Sequence, residues 1–185
     1  MSNLDYEINK ELGECYLFMG DYEKAEEYYT KAAGSNGVHP DPYLGLATIA
    51  IQRGDLAGAM ALYKKAAAVE ACDKALAGMA LVEMETGDAP TAYEHFRQAL
   101  EANPENEVAL LGLIQTGHCI GRLEEVPPYL ENALAVDPTK HDLRYSLAGC
   151  LANLDRKDEA RRHLEIILES APDHAAAQEL YGMLA

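Results

Sequence analysis

The chain has 185 residues, 49% of them apolar and 25% charged, a balance that suits a globular domain with a substantial core and excludes a disordered tail. Thirty-one acidic residues against fifteen basic ones give a formal charge of -16, which repels nucleic-acid phosphates and anionic headgroups and favours neutral or basic partners. The opening residues hold no basic stretch followed by an apolar core, and no run approaches the roughly 18 apolar residues of a membrane span, so a soluble, cytoplasmic protein without membrane insertion is expected.

Ala25, Ala59, Ala92, Val126 and Ala160 recur at intervals of 34, 33, 34 and 34 residues, each in a similar local pattern. That period predicts one helical hairpin repeated five times, at about 6–39, 40–72, 73–106, 107–140 and 141–174, in a single domain covering 1–185. Gly20-Asp21, Gly54-Asp55, Gly87-Asp88 and Gly121-Arg122 mark the turn inside each of the first four hairpins, and Asp155-Arg156 marks the fifth without its glycine. Glycine accepts the left-handed backbone that ends a helix, and the following aspartate can cap the next one. Gly34-Ser35-Asn36-Gly37 is the most flexible linker, where a bend is expected. Pro104, Pro138 and Pro172 end the last three units, while Pro127 and Pro128 predict a late start for the second helix of the fourth. A final helix over 175–185 caps the array, and its apolar end, Met183-Leu184-Ala185, reads as a chain cut from a longer protein.

The arrangement resembles the tetratricopeptide repeat family, with a small residue late in the first helix and alanine, aromatic and alanine along the second. The first unit reads Leu12, Gly13, Tyr16, Ala25, Tyr29 and Ala32; the second reads Leu46, Ala47, Ala59, Tyr63 and Ala66; the third reads Met79, Ala80, Ala92, Phe96, Ala99 and Pro104. The fourth and fifth keep the spacing with Leu113, Val126, Leu130, Ala133 and Pro138, then Leu147, Ala148, Ala160, Leu164, Ile167 and Pro172. The resemblance implies an all-α, right-handed superhelical solenoid of antiparallel hairpins. Asn9 and Arg144 stand where the family has a large apolar residue, so the two outer units are expected to be looser, and Ile114 in place of a small residue is expected to widen the fourth hairpin.

In this family the first helices line a concave surface that takes a partner segment. Carried over, its positions are Glu7, Lys10, Glu14, Leu17 and Phe18, then Asp41, Leu44, Thr48, Ile51 and Gln52, then Lys74, Ala77, Leu81, Met84 and Glu85. Val108, Leu111, Gln115, His118 and Cys119 follow, with Asp142, Tyr145, Gly149, Ala152 and Asn153 from the fifth unit. The expected partner-binding set is Leu17, Phe18, Leu44, Thr48, Ile51, Ala77, Leu81, Met84, Leu111, Gln115, His118, Tyr145 and Asn153. Leu44 and Ala77 are divided evenly between groove and core, whereas Leu81, Met84 and Leu111 favour the groove. Independently of the family, 75–84 and 108–114 are apolar nearly all round, which leaves surface for a partner. Gly45, Gly78 and Gly112 each cost a helix roughly 1 kcal/mol relative to alanine, so a close approach is expected there, with an adjacent first helix favoured over a ligand.

Family members that hold an acidic chaperone C-terminus use lysines, asparagines and an arginine across three hairpins. Here Lys10 and Lys74 match, but Glu14, Gly45 and Gly78 do not, which argues against a carboxylate ligand. The six histidines are scattered without a catalytic or phosphate-binding motif, and Cys15, Cys72, Cys119 and Cys150 lack metal-ligand spacing, so no catalysis, metal or cofactor is expected and the thiols read as reduced and structural. Most of the eleven tyrosines fill packing positions, leaving Tyr145 for the groove. The leading expectation is a non-enzymatic scaffold that binds an extended or helical protein segment with apolar anchors and neutral or basic flanks. The alternative is the repeat region of a larger enzyme, a glycosyltransferase or methyltransferase, that positions its substrate protein. Self-association through the terminal helix is a third partner class.

Overall fold

The computed structural model describes residues 3–35, 38–70 and 72–184, and among these residues it contains eleven α-helices and no strand. They fall into two compact units, one ending at Ala102 and one beginning at Asn103. The first unit holds three hairpins, α1 (Asn3–Phe18) with α2 (Tyr22–Ser35), α3 (Asp41–Gln52) with α4 (Leu56–Val69), and α5 (Asp73–Glu85) with α6 (Ala89–Ala102). The second holds α7 (Glu107–Cys119), a 3-10 turn (Leu123–Glu125), α8 (Pro127–Val136), the hairpin of α9 (His141–Asn153) and α10 (Lys157–Ser170), and α11 (Ala175–Met183), which packs on α10. Asn36 and Gly37 of the glycine-rich linker, and Ala185 of the apolar end, lie outside the described residues, while Gly34 and Ser35 belong to α2. No described helix is long and apolar enough to cross a membrane.

Each first helix ends in the same way. Gly20, Gly54, Gly87 and Gly121 have φ between +73° and +86°, and Asp155, standing where the fifth glycine would be, adopts φ 59°. The residue after each folds back to a carbonyl five positions earlier, as in Asp21 N to Tyr16 O at 2.9 Å and Arg156 N to Leu151 O at 2.9 Å, so otherwise unpaired carbonyls are satisfied. Starts of the second helices differ between the units. Asp21, Asp55 and Asp88 accept from the amides of Lys24, Gly58 and Thr91 as helix caps. In the second unit arginine replaces the capping acid and forks onto a glutamate three residues on, Arg122 onto Glu125 at 2.8 Å and Arg156 onto Glu159 at 2.7 Å. The helix containing Pro127 and Pro128 starts only at Pro127, because both prolines need positions without an intrahelical amide bond.

Alanines bring the hairpin helices together. Ala25, Ala32, Ala59, Ala66, Ala92, Ala99 and Ala160 are wholly buried. At Gly45 and Gly78 the nearest atoms belong to a side chain of the preceding hairpin, not to the backbone of an adjacent first helix. A Cβ built on Gly45 or on Gly13 would come closer than 3.0 Å to the ring of Tyr29, and one on Gly78 would meet the ring of Tyr63 in the same way. Tyr29 of α2 and Tyr63 of α4 therefore each lie against a glycine of the following first helix, and the Tyr29 ring also meets Gly13 of α1. Gly112 is buried in α7.

Arg144, the polar residue at a position the family fills with a large apolar one, leaves its buried Nε without a hydrogen-bond partner among the described residues. It is buried, and its Nη2 donates to the Pro138 carbonyl at 2.8 Å, tying the loop before α9 to that helix. Asn9 instead turns its amide onto the Asp5 carbonyl at 2.6 Å on its own helix. All four cysteines are free, but only Cys150 is a core thiol, and Cys15 and Cys119 are exposed.

Gly45→Ala and Gly78→Ala should each destabilise the fold by about 2–3 kcal/mol, since the added methyl must displace an enclosed ring. Gly149→Ala, where nothing lies within 4 Å, should instead stabilise by about 0.5–1 kcal/mol through helix propensity. Urea denaturation of the three variants checks the opposed signs. Asp155→Gly should raise stability by about 0.5–1 kcal/mol by relieving its left-handed backbone, read as a higher urea midpoint.

Candidate functional site

In the first unit the candidate face is built on α1, α3 and α5. Leu81 is 41% exposed and Met84 half-buried, both near the end of α5. Leu44 and Ile51 are half-buried and pack against the cluster of Ala47, Ala50, Tyr63, Met79 and Val82, so they show only part of their surface. Thr48 is also half-buried, with its hydroxyl donating to the Leu44 carbonyl at 3.0 Å. Ala77 is only 3% exposed and has almost no surface for a partner, because α5 turns this position into its own core. Leu17 packs beside the Tyr29 cluster, whereas Phe18, the last residue of α1, is 95% exposed next to the exposed Met19.

Tertiary packing brings further polar groups to this face. Burial raises the Tyr63 phenol, with the Thr48 side chain opposing the rise. The Tyr29 phenol is pushed up to about 12, by burial first and then by the carboxylates of Glu14 and Asp41. Tyr6 is also pushed up to about 12, by burial and then Asp41, with Lys10 opposing and Glu7 and Glu14 adding to the rise. The repeat spacing predicts packing positions for most of the tyrosines. The spacing placed their rings correctly in the core, but could not show that their polar ends sit among charges of the first helices.

In the second unit α7 and α9 enclose two adjoining clefts of about 330 and 450 Å³. Leu111, 64% exposed, and Ile114 line both clefts, as does Ser146. Gln115, His118 and Asn153 edge one cleft together with Cys119 and Gly149. Lys140, Asp142 and Glu107 edge the other, where Lys140 lies 3.4 Å from Glu105 and 3.7 Å from Glu107. Ile114, read from sequence as a spacing defect, contributes apolar wall to both clefts. Tyr145 is half-buried and tilts against His174 with centroids 5.9 Å apart, away from the lining residues of either cleft. Cys150 lines a cleft from beneath, its thiol pushed up to about 11 by burial and hence unreactive. On the terminal elements, Met183 of α11 and Ile166 of α10 are exposed.

Among the described residues no three His, Cys, Asp or Glu side chains converge to hold a metal ion. His163 of α10 has its pKa lowered by burial and by the nearby Arg144, a structural imidazole kept neutral.

Packed helical hairpins with exposed side chains along their first helices define a helical-repeat scaffold. The chain matches the tetratricopeptide repeat over residues 10–77 and again over 121–184, together well over half its length, and it belongs to the tetratricopeptide repeat family. The bovine BBSome complex member BBS4 (Bos taurus) is 30% identical over 112 residues, which cover 60% of this chain and 21% of that protein, so the match spans about a fifth of the relative's length. The structure of pilF from Pseudomonas aeruginosa superposes with a TM-score of 0.77 at 19% identity, covering 99% of this chain and 84% of that one. YrrB, described as a TPR protein with an unusual peptide-binding site, superposes with a TM-score of 0.68 at 27% identity over 86% of this chain and 83% of its own. The fold class is therefore the all-α tetratricopeptide solenoid, consistent with a protein-interaction scaffold.

Tyr6 and Tyr29 ionise at about 12 in the folded chain against 10.0 ordinarily, so the unfolded chain loses these protons first as pH rises. Their contribution to stability is complete below pH 10 and should be lost as pH climbs from about 10 to 12. A pH series of urea melts should show this loss, and the double variant Tyr6→Phe/Tyr29→Phe should flatten it.

Proposed function

We propose that this chain is a non-enzymatic scaffold whose first-helix faces bind a segment of another protein, extended or helical, with apolar anchors and neutral or basic flanks. The observation that carries this reading is Leu111, 64% exposed on a helix interior beside two clefts that it lines with Ile114. An aliphatic side chain left open at a cleft offers an incoming apolar residue a place to be desolvated, and such contacts anchor most peptide grooves. Leu81, Met84, Leu44 and Ile51 offer similar anchoring surface on the first unit, with Thr48 as a polar contact. Gln115, His118 and Asn153 supply hydrogen-bonding groups at one cleft of the second unit, and Phe18 extends the apolar surface at the end of α1. The charge of -16 favours basic flanks and disfavours nucleic acid. YrrB, whose structure is described by its peptide-binding site, is similar over most of its length.

Leu81→Glu/Leu111→Glu should leave helicity by circular dichroism unchanged, because both positions are exposed. It should reduce partner retention at least about tenfold in affinity purification from the native cell, since a carboxylate in an apolar contact costs more than 1.4 kcal/mol. Retention of the same proteins in the same amounts by the intact and the double-variant chain would refute this reading.

A further inference from the structure

On the first unit, α1 and α3 touch, and the Tyr29 ring reaches both from α2, lying against Gly13 beside Glu14 and against Gly45 one helical turn on from Asp41. Tyr29 is 3% exposed. Tyr6 is 1% exposed and stacks at 4.6 Å on His39, two residues before Asp41, and its buried hydroxyl has no hydrogen-bond partner. Both phenols feel the carboxylates of Glu14 and Asp41. Lys10, the cation of this neighbourhood, lies 5.9 Å above the Tyr6 ring and is tied to Glu7 at 3.1 Å. Among the described residues Glu14 and Asp41 have neither an ion pair nor a side-chain hydrogen bond. Among the described residues one ammonium thus faces three carboxylates, two of them without an ion pair, beside a buried phenol hydroxyl without a hydrogen-bond partner, an arrangement that a further cation would relieve.

We propose that Tyr6, Glu14, Tyr29 and Asp41 form a subsite for an arginine or lysine side chain of the bound segment, which rests on the scaffold reading above and assigns the chemistry of one partner residue. A guanidinium has five donors in a plane, so it can pair with both carboxylates and still direct a donor toward a phenol oxygen. A lysine ammonium satisfies fewer of these groups and binds more weakly. A compact divalent ion does not suit the site, because no three metal-ligating side chains converge there, whereas a long flexible cation can reach acids on two different helices. The unmatched acids also explain why a negatively charged segment would be repelled from this part of the face.

Nitrogen-15 NMR titration of the full chain with N-acetyl-arginine amide tests the assignment, with N-acetyl-citrulline amide as its neutral counterpart of the same shape. The arginine derivative should give saturable shifts centred on Tyr6, Glu14, Tyr29 and Asp41, at least about tenfold tighter than citrulline. Glu14→Gln/Asp41→Asn should remove that preference, and Tyr6→Phe/Tyr29→Phe, which keeps both rings, should weaken arginine binding several-fold at unchanged helicity. Equal shifts from the two probes, shifts centred elsewhere, or a preference that survives Glu14→Gln/Asp41→Asn would overturn the proposal. Leu81→Glu/Leu111→Glu leaves these four residues intact, so lost partner retention with a normal arginine response upholds both readings. Retention that survives that variant sinks the scaffold reading alone, and an absent arginine response in the intact chain sinks the subsite alone.

Discussion

A tyrosine ring laid against glycine sets how close successive first helices of the first unit can come. Tyr29 lies between Gly13 and Gly45, and Tyr63 lies on Gly78, at separations no β-carbon could share. Glycine weakens each helix by roughly 1 kcal/mol, but the ring it admits buries far more apolar area than a methyl group would supply. Because the rings enter from the second helices, they spend the inward side of the first helices on packing. Side chains such as Leu81 and Phe18 are left exposed.

The same rings end in hydroxyls, and this gives the first unit its polar character. Tyr63 is influenced by Thr48, Tyr29 by Glu14 and Asp41, and Tyr6 by Asp41, Lys10, Glu7 and Glu14. The third, fourth and fifth hairpins place Phe96, Leu130 and Leu164 at the equivalent position, all fully buried and without a polar end. The second unit accordingly offers clefts walled by Leu111 and Ile114, with its polar groups confined to their edges.

Local reinforcement differs as well. Aspartate caps hold the second helices of the first unit by accepting from amides that the helix itself leaves unpaired. The arginine–glutamate forks of the second unit lie in water, where screening leaves such pairs little net stabilisation. More of that unit's hold therefore falls on its core, including Leu113, Leu130, Leu147, Leu151 and Leu164, all fully buried.

Features that depend on neighbouring residues along the chain could be read before any coordinates. The repeat interval, the left-handed turn positions down to Asp155, and the delayed start at Pro127 all follow from backbone chemistry that acts over one helical turn. Fold class was legible for the same reason, since five hairpins with identical punctuation admit few other packings. The site was legible only in outline. Helical periodicity groups side chains by face but says nothing about which face the next hairpin covers, so Ala77 is evenly divided between groove and core in the sequence and only the packing of α5 buries it. Nor could the spacing show that Gly45 makes room for a ring from the preceding hairpin, that Arg144 would reach the Pro138 carbonyl, or that Ile114 would wall a cleft. Those outcomes belong to tertiary packing, because contact between helices distant in sequence depends on side-chain shape in three dimensions, which no one-dimensional pattern records.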